Sequence, residues 1–247
     1  MNSFKNRISR ASYFNKIILA NDYVGSTNLF ENTIKNINIM HDYLCGIKIN
    51  FHILLHLDTH AIIKINKTAH ELHLQSIADI KLNDILDTNK TVIKKLRDLE
   101  FDAVIVNPII GSKNLGNTID LAHDYDMGII TLCHVSSLHS SLYDYKIVTQ
   151  NQNIDLYEFF LKLSMTNNVD GIIVGATFPN IIKQCKDITN NKLDVYSPGI
   201  GTQGGSISKA ISSGANFVIV GRTIINSRNP LTSIKKLKLE IDRSFNL

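Results

Sequence analysis

The chain is poor in features that would mark several classes of protein. It has three cysteines, Cys45, Cys133 and Cys185, an odd number with no CxxC spacing, so neither a disulfide framework nor a cysteine metal site is expected. That usage suits a reducing compartment, and the expected location is cytoplasmic. No apolar run reaches the roughly 18 residues a membrane span needs, and no signal-peptide core stands near Met1, so no membrane association is expected. The net charge of +4 is spread out without a Lys/Arg block, so no nucleic acid partner is expected; an anionic small molecule accounts for the balance equally well. No GxGxxG follows the first apolar run, which argues against a dinucleotide-binding open sheet.

What is present is a globular composition, 44% hydrophobic and 19% charged over 247 residues. Short apolar runs alternate with amphipathic stretches. Strands are expected near Ile17–Asn21, Gly46–Asn50, Ser76–Lys81, Ala103–Asn107, Gly128–His134, Gly171–Ala176, Asp194–Ser197 and Phe217–Gly221. Runs as continuous as FVIVG suit parallel strands buried on both faces. Between them, Phe30, Ile34, Ile37, Met40 and Leu44 form a helical stripe, with Asn28 and Glu31 placed as a capping box. Val92, Leu96 and Leu99 form another after Asp87 or Thr88 as cap, and Pro230 opens the last helix. Most strand-to-strand steps have the length of one βα unit. The expected fold is therefore an α/β (β/α)8 TIM barrel, one domain over 1–247. Residues 1–16, with Lys5, Arg7, Arg10, Lys16 and no acid, form a short N-terminal extension or a helix covering the barrel's bottom. The long step between the fifth and sixth strands, Ser136–Gln152 and then a helix near Asp155–Met165, is a candidate lid.

Chemistry concentrates in two places. In Ala78-Asp79-Ile80-Lys81-Leu82-Asn83-Asp84-Ile85, side-chain alternation in a strand projects Asp79 and Lys81 to one face, with Asp84 in the turn beyond. This is the C-terminal end of the third strand, where barrel enzymes place their reactive groups. Asp22 ends the first strand and Lys48 lies on the second, where a lysine among apolar neighbours needs a partner. A Lys48–Asp79–Lys81–Asp84 array supplies one. Ordinary strand-end salt bridges are the competing reading. The second place is Ser197-Pro198-Gly199-Ile200-Gly201-Thr202-Gln203-Gly204-Gly205 after the seventh strand, with Gly221 and Arg222 after the eighth. Glycines admit close approach of backbone N–H groups to an anion, Arg grips phosphate, and barrels often bind phosphate with these two loops.

These motifs resemble the orotidine 5′-phosphate decarboxylase family, especially its short single-domain members, from about Ile17 to the final helix. The family's first-strand aspartate matches Asp22 and its second-strand lysine Lys48. Its DxKxxDI motif matches Asp79, Lys81, Asp84 and Ile85, and its following Thr-Asn matches Thr88 and Asn89. Its pyrimidine-contacting serine matches Ser136, with Ser137 as the alternative. Its PGxGxQGG loop runs from Pro198 through Gly199, Ile200, Gly201, Gln203 and Gly204 to Gly205, and its GR pair is Gly221 and Arg222. Leu86 and Asp87 depart from the Pro and Glu common there. The resemblance implies decarboxylation of orotidine 5′-phosphate to UMP without cofactor or metal. Lys81 would be the proton donor and Asp79 the neighbour of the leaving carboxylate. Lys48 and Asp84 would hold the array and, with Asp22 and Thr88, contact the ribose. It also implies a homodimer in which Asp84–Thr88 reaches the neighbouring site.

Rival readings each have a discriminator. A Mg²⁺-dependent sugar-phosphate decarboxylase or formaldehyde-condensing synthase of the same barrel type would resemble its relatives in carrying an acid where Lys48 stands. A Schiff-base aldolase would need a lowered lysine pKa, which two flanking aspartates oppose. A non-catalytic phosphate-binding barrel would keep the glycine loop and lose the charges. His52, His56 and His60 would stack on one face if a single helix carried them, a candidate metal site against the simpler reading of a polar helix face. His134 and His139 read as loop polar groups.

Overall fold

The computed structural model describes residues 3–23, 25, 27–137, 145–148 and 153–245. The elements run α1 (Phe4–Ala11), β1 (Ile17–Asn21), α2 (Leu29–Met40), β2 (Gly46–Asn50), α3 (Phe51–Leu54), α4 (Thr59–Glu71), β3 (Gln75–Leu82), α5 (Leu86–Asp98), β4 (Ala103–Val106), α6 (Gly111–Asp124) and β5 (Gly128–His134). They continue as β6 (Lys146–Val148), β7 (Asn153–Asp155), α7 (Leu156–Thr166), β8 (Gly171–Val174), α8 (Pro179–Ile188), β9 (Asp194–Pro198), α9 (Ile207–Ser212), β10 (Phe217–Val220), α10 (Arg222–Ile225) and α11 (Pro230–Phe245). Eight of the strands close a parallel barrel in the order β1-β10-β9-β8-β5-β4-β3-β2, as the run of apolar segments predicts. β6 and β7 pair separately as a two-stranded antiparallel sheet that sequence periodicity does not reveal, within the expected lid stretch; positions 138–144 and 149–152 of that stretch, with His139, lie outside the described residues.

Alternation along each strand builds two cores. Ile17, Leu19, Ile47, Ile49, Val104, Val106, Val218 and Val220 point outward and pack beneath the helices. Ile18, Ala20, Ile77, Ile105, Ile130, Leu132, Ile173, Tyr196, Phe217 and Ile219 fill the barrel itself. α1 closes the N-terminal mouth: Phe4 and Ile8, both essentially inaccessible, join the inner core, and a Cβ at Gly128 would lie 2.2 Å from the Phe4 ring. Arg7 anchors this plug through Asp102 at 3.3 Å, Gln75 at 3.0 Å and the Asp126 carbonyl at 2.9 Å.

A polar clamp recurs at the same mouth. Asp102 accepts from the Ser76 N–H at 2.7 Å and pairs with His70 at 2.9 Å. Asp170 accepts from the Ile129 N–H at 2.8 Å and pairs with His123 at 2.9 Å. The bond to each aspartate raises the histidine's pKa above its usual value, against an opposing effect of burial.

Several boundaries differ from the sequence reading. Asn28 occupies the cap position of α2 without a side-chain capping bond, so the expected capping box does not form. α5 begins at Leu86, placing Asp87 and Thr88 inside its first turn rather than before it; an acid there favours the helix dipole without capping it. The His52–His60 stretch is two helices, because Asp58 caps α4 by accepting from the Ala61 N–H at 2.8 Å. No single helical face therefore stacks His52, His56 and His60, and among the described residues no group of three metal-ligating side chains is placed to hold an ion.

Candidate active site

The C-terminal mouth of the barrel opens into a cavity of about 590 Å³, a size suited to a small ligand. On one wall stand Asp22, Lys48, Asn50, Asp79 and Lys81; on the other Ser136, Ser137, Pro198, Gly199, Ile200, Thr202, Gln203, Gly221 and Arg222. Ala20, Ile105, Leu132, Ile173 and Ile219 form an apolar floor that is the top of the inner core.

Lys48 points inward because it lies between Ile47 and Ile49, which face the helices. Its residue is 4% exposed, and its ammonium sits 2.6 Å from one Asp79 oxygen and 3.4 Å from Asp22. Asp79, 6% exposed, uses its other oxygen to accept from Lys81 at 2.7 Å. One carboxylate thus bridges two ammonium groups. Burial disfavours the charge on Lys48, but Asp79 and Asp22 outweigh it and raise its pKa. Burial likewise disfavours the Asp79 carboxylate, and Lys48 and Lys81 overcome it and lower its pKa. Both groups are therefore held charged although nearly buried, where fixed charges act more strongly than in water.

The route by which Lys81 reaches Asp79 is not that of a regular strand. Ala78 pairs with Val104 and Leu82 with Val106, so the third strand carries extra residues against the fourth. The bulge is closed by Lys81 itself, whose φ of +48° lies in the left-handed region. Bulges beside active sites re-aim side chains, and here the ammonium is turned back toward Asp79.

Asp84 does not join this cluster. It is exposed, and its carboxylate accepts from the Ile85 N–H at 2.7 Å. The four charges that meet within one chain are Asp22, Lys48, Asp79 and Lys81; of the expected Lys48–Asp79–Lys81–Asp84 array, Asp84 stands outside the group that a single chain assembles. Ile85 and Thr88 are likewise exposed and do not line the cavity. Asp84 lies beyond the bulge, where strand alternation no longer aims a side chain at the barrel axis.

The opposite wall is built by close backbone approach. A Cβ on Gly199 would lie 2.6 Å from the Ser136 Cβ, and one on Gly175 would lie 2.5 Å from the Ser136 Cα. The Thr177 hydroxyl also donates to the Ser136 carbonyl at 3.0 Å. Gly199, Gly201 and Gly204 have φ of +96°, +71° and +92°, a conformation open mainly to glycine. Gly201 and Gly204 do not line the cavity: their N–H groups donate within the loop, to Gly205 at 2.9 Å and to Gly201 at 2.7 Å. They shape the turn around Gln203, whose N–H donates to no other group among the described residues. The Arg222 guanidinium forms no ion pair among the described residues and is exposed at the rim. His134, in contrast, is 4% exposed and packs its ring 4.3 Å from that of Phe178. Asn50 and Thr202 are pocket residues that the motifs missed; Asn50 was recoverable, since it shares the strand face of Lys48.

Known proteins share the sequence pattern and the fold of this chain. The family model described as orotidine 5′-phosphate decarboxylase / HUMPS matches residues 15–237. Among curated relatives, the orotidine 5′-phosphate decarboxylase of Pyrococcus abyssi is 30% identical over 202 residues, covering 81% of this chain and 88% of that one. The enzyme of the same name from Methanosarcina barkeri is 30% identical over 169 residues, covering 68% and 72%. Among solved structures, orotidine 5′-monophosphate decarboxylase from Methanocaldococcus jannaschii, complexed with inhibitor BMP, superposes with a TM-score of 0.77 at 26% identity, covering 93% of this chain and all (100%) of the other. The chain belongs to the orotidine 5′-phosphate decarboxylase / HUMPS family.

Proposed function

We propose that this chain decarboxylates orotidine 5′-phosphate to UMP in pyrimidine synthesis, using fixed charges and no cofactor. The observation that carries the reading is Asp79 held between Lys48 and Lys81, across one cavity from a glycine loop and an exposed arginine. Breaking the bond from C6 of the pyrimidine to its carboxylate releases CO2 and leaves an electron pair on C6. Lys81 transfers a proton to that carbon, giving UMP. Its ammonium also stabilises the charge as it develops, and preorganised charge of this kind supplies most of the rate enhancement in many enzymes. Asp79 stands beside the leaving carboxylate and fixes both lysines. Asp22 and Lys48 contact the ribose, and Ser136 or Ser137 the pyrimidine edge. Gln203 bridges base and phosphate, and the loop that Gly201 and Gly204 shape takes the phosphate together with Gly221 and Arg222. Binding energy gathered there, remote from C6, adds to transition-state stabilisation.

The reading includes a homodimer. Phe51, Leu55, Ile85, Leu86 and Ile109 follow three adjacent strands, β2, β3 and β4, and are 52%, 69%, 64%, 37% and 65% exposed. A second copy covering this apolar face would bring Asp84, Ile85 and Thr88 to its neighbour's ribose. The enzyme is placed in the cytosol, where three buried, unbridged cysteines persist; no described helix is long and apolar enough to cross a membrane.

The test is the absorbance change on loss of orotidine 5′-phosphate, with and without chelator. Turnover should survive EDTA. Turnover that requires added Mg²⁺ would return the reading to a sugar-phosphate lyase, against which the ammonium of Lys48 on the second strand now stands. Lys81→Ala should lose about 10²–10⁴-fold in kcat, the usual contribution of a positioned acid, while still binding UMP. Near wild-type kcat removes Lys81 from the chemistry. Mixing Lys81→Ala with Asp84→Ala subunits should restore part of the activity if Asp84 acts across the interface, and no recovery refutes that role.

A further inference from the structure

The phosphate-binding loop and the arginine opposite it arrive on different strands, and something must fix the distance between them. The loop closes on itself through three backbone bonds, from Gly201 to Gly205, from Gly204 to Gly201 and from Gly205 to Gly199, at 2.9, 2.7 and 3.0 Å. None of these reaches α10, which carries Arg222. We infer that Thr223 is the positioning residue that joins the two halves of the anion site, an inference that rests on the proposed role of this loop and Arg222 in holding the nucleotide's phosphate.

The Thr223 hydroxyl is fully used. It donates to the Ile200 carbonyl at 3.1 Å, accepts from the Thr202 N–H at 3.2 Å, and lies 3.2 Å from the Thr202 hydroxyl. A hydroxyl has one proton and two acceptor sites, so with its proton on Ile200 it accepts from both groups of Thr202. These bonds grip the loop on either side of Gly201. Among the described residues, no other α10 side chain hydrogen-bonds to the loop. The contact is admitted by the glycine: a Cβ at Gly201 would lie 2.4 Å from the Thr223 Oγ1. Gly201, which donates nothing into the cavity, is therefore the socket for Thr223. Because Thr223 follows Arg222 directly, its hydroxyl sets the span between the guanidinium and Gln203, and a phosphate bound by both requires that span to be kept. Placement within a fraction of an ångström is what such a binding pair depends on.

The experiment is calorimetric titration of UMP and of uridine into the intact protein and into Thr223→Val, Thr223→Ala and Thr223→Ser. Valine keeps the shape and removes the hydroxyl. UMP affinity should fall about tenfold in Thr223→Val, the scale of one or two lost hydrogen bonds, while uridine affinity stays as in wild type. KM for the nucleotide should rise by a similar factor with a smaller change in kcat, and Thr223→Ser should return both to within about twofold of wild type. Thr223→Ala should repeat the pattern if the valine variant does not fold. Equal losses for UMP and uridine, or an unchanged UMP affinity, would overturn the inference. If the wild-type protein itself binds UMP no more tightly than uridine, the phosphate assignment of the loop falls, and this role for Thr223 with it.

Discussion

The charge bridge at Asp79 separates stability from chemistry in a way that a double-mutant cycle can measure. Lys48→Met keeps the side-chain stem and removes the ammonium, leaving a carboxylate that is 6% exposed with Lys81 as its remaining partner. Asp79→Asn removes the anion, leaving a lysine that is 4% exposed with Asp22 at 3.4 Å. Breaking a buried pair from one side costs about 3–5 kcal/mol. Because one partner survives in each case, the lower end applies, about 3 kcal/mol for each single variant. In a chain of this size that lowers Tm by about 6–12 °C. The double variant buries neither charge and should lose no more than either single, a coupling of about 3 kcal/mol. The signs with pH follow. The lysines hold the Asp79 carboxyl below its ordinary value despite burial, so its stabilisation is present above an unfolded pKa of about 3.9 and is lost as pH falls toward the folded value. Lys48→Met raises that folded value, so acid unfolding should begin at higher pH. Urea titrations followed by circular dichroism at pH 7 and pH 4 give these quantities, and turnover should be lost in all three variants. Strict additivity, with the double variant about 6 kcal/mol less stable than wild type, would show that Lys48 and Asp79 do not act as a pair.

Two further expectations concern the other mouth of the barrel. His70 and His123 have folded pKa values raised by Asp102 and Asp170, so their stabilisation is full below about pH 6.5 and is lost as pH rises through the folded values. The His70→Gln/His123→Gln variant should therefore show a larger deficit in unfolding free energy at pH 6 than at pH 9, by about 0.2–1 kcal/mol for each half-exposed pair, and equal deficits at both pH values would contradict this. Phe4→Ala empties the plug of the inner core and should cost about 3–5 kcal/mol in thermal unfolding, with kcat at 25 °C nearly unchanged because the reactive groups sit at the opposite end; an unaltered Tm would show that α1 does not seal the barrel.

The barrel was legible because its strands are continuous runs of branched apolar residues, a signal that survives without tertiary information. Lys48 was legible for the converse reason, as a charge that interrupts such a run and so demands a partner. Helix starts were less so. Asn28 and Asp58 look alike as cap residues, yet only the second makes a side-chain capping bond, because the backbone is extended at Asp58 and not at Asn28. Alternation anticipated that Asp79 and Lys81 meet but not the route, since the strand bulges and the backbone at Lys81 turns left-handed, which depends on register against β4 and leaves no mark in local sequence. Asp84 shows the limit of the motif: it lies three residues beyond Lys81, and the turn carries it out to the surface. Thr223 was invisible because its meaning lies in a contact with a glycine loop more than twenty residues earlier in the chain.

The φ of +48° at Lys81 bears on how this protein can change over generations. A non-glycine residue in that region carries about 1–2 kcal/mol of unfavourable backbone energy, which glycine would relieve and asparagine would lessen. Gly or Asn at position 81 would relieve that strain but leave the nearly buried Asp79 with one ammonium fewer, so the backbone and the ion pair pull in opposite directions. With Lys81 as the proton donor proposed above, selection for the product would add to the ion pair in keeping lysine there.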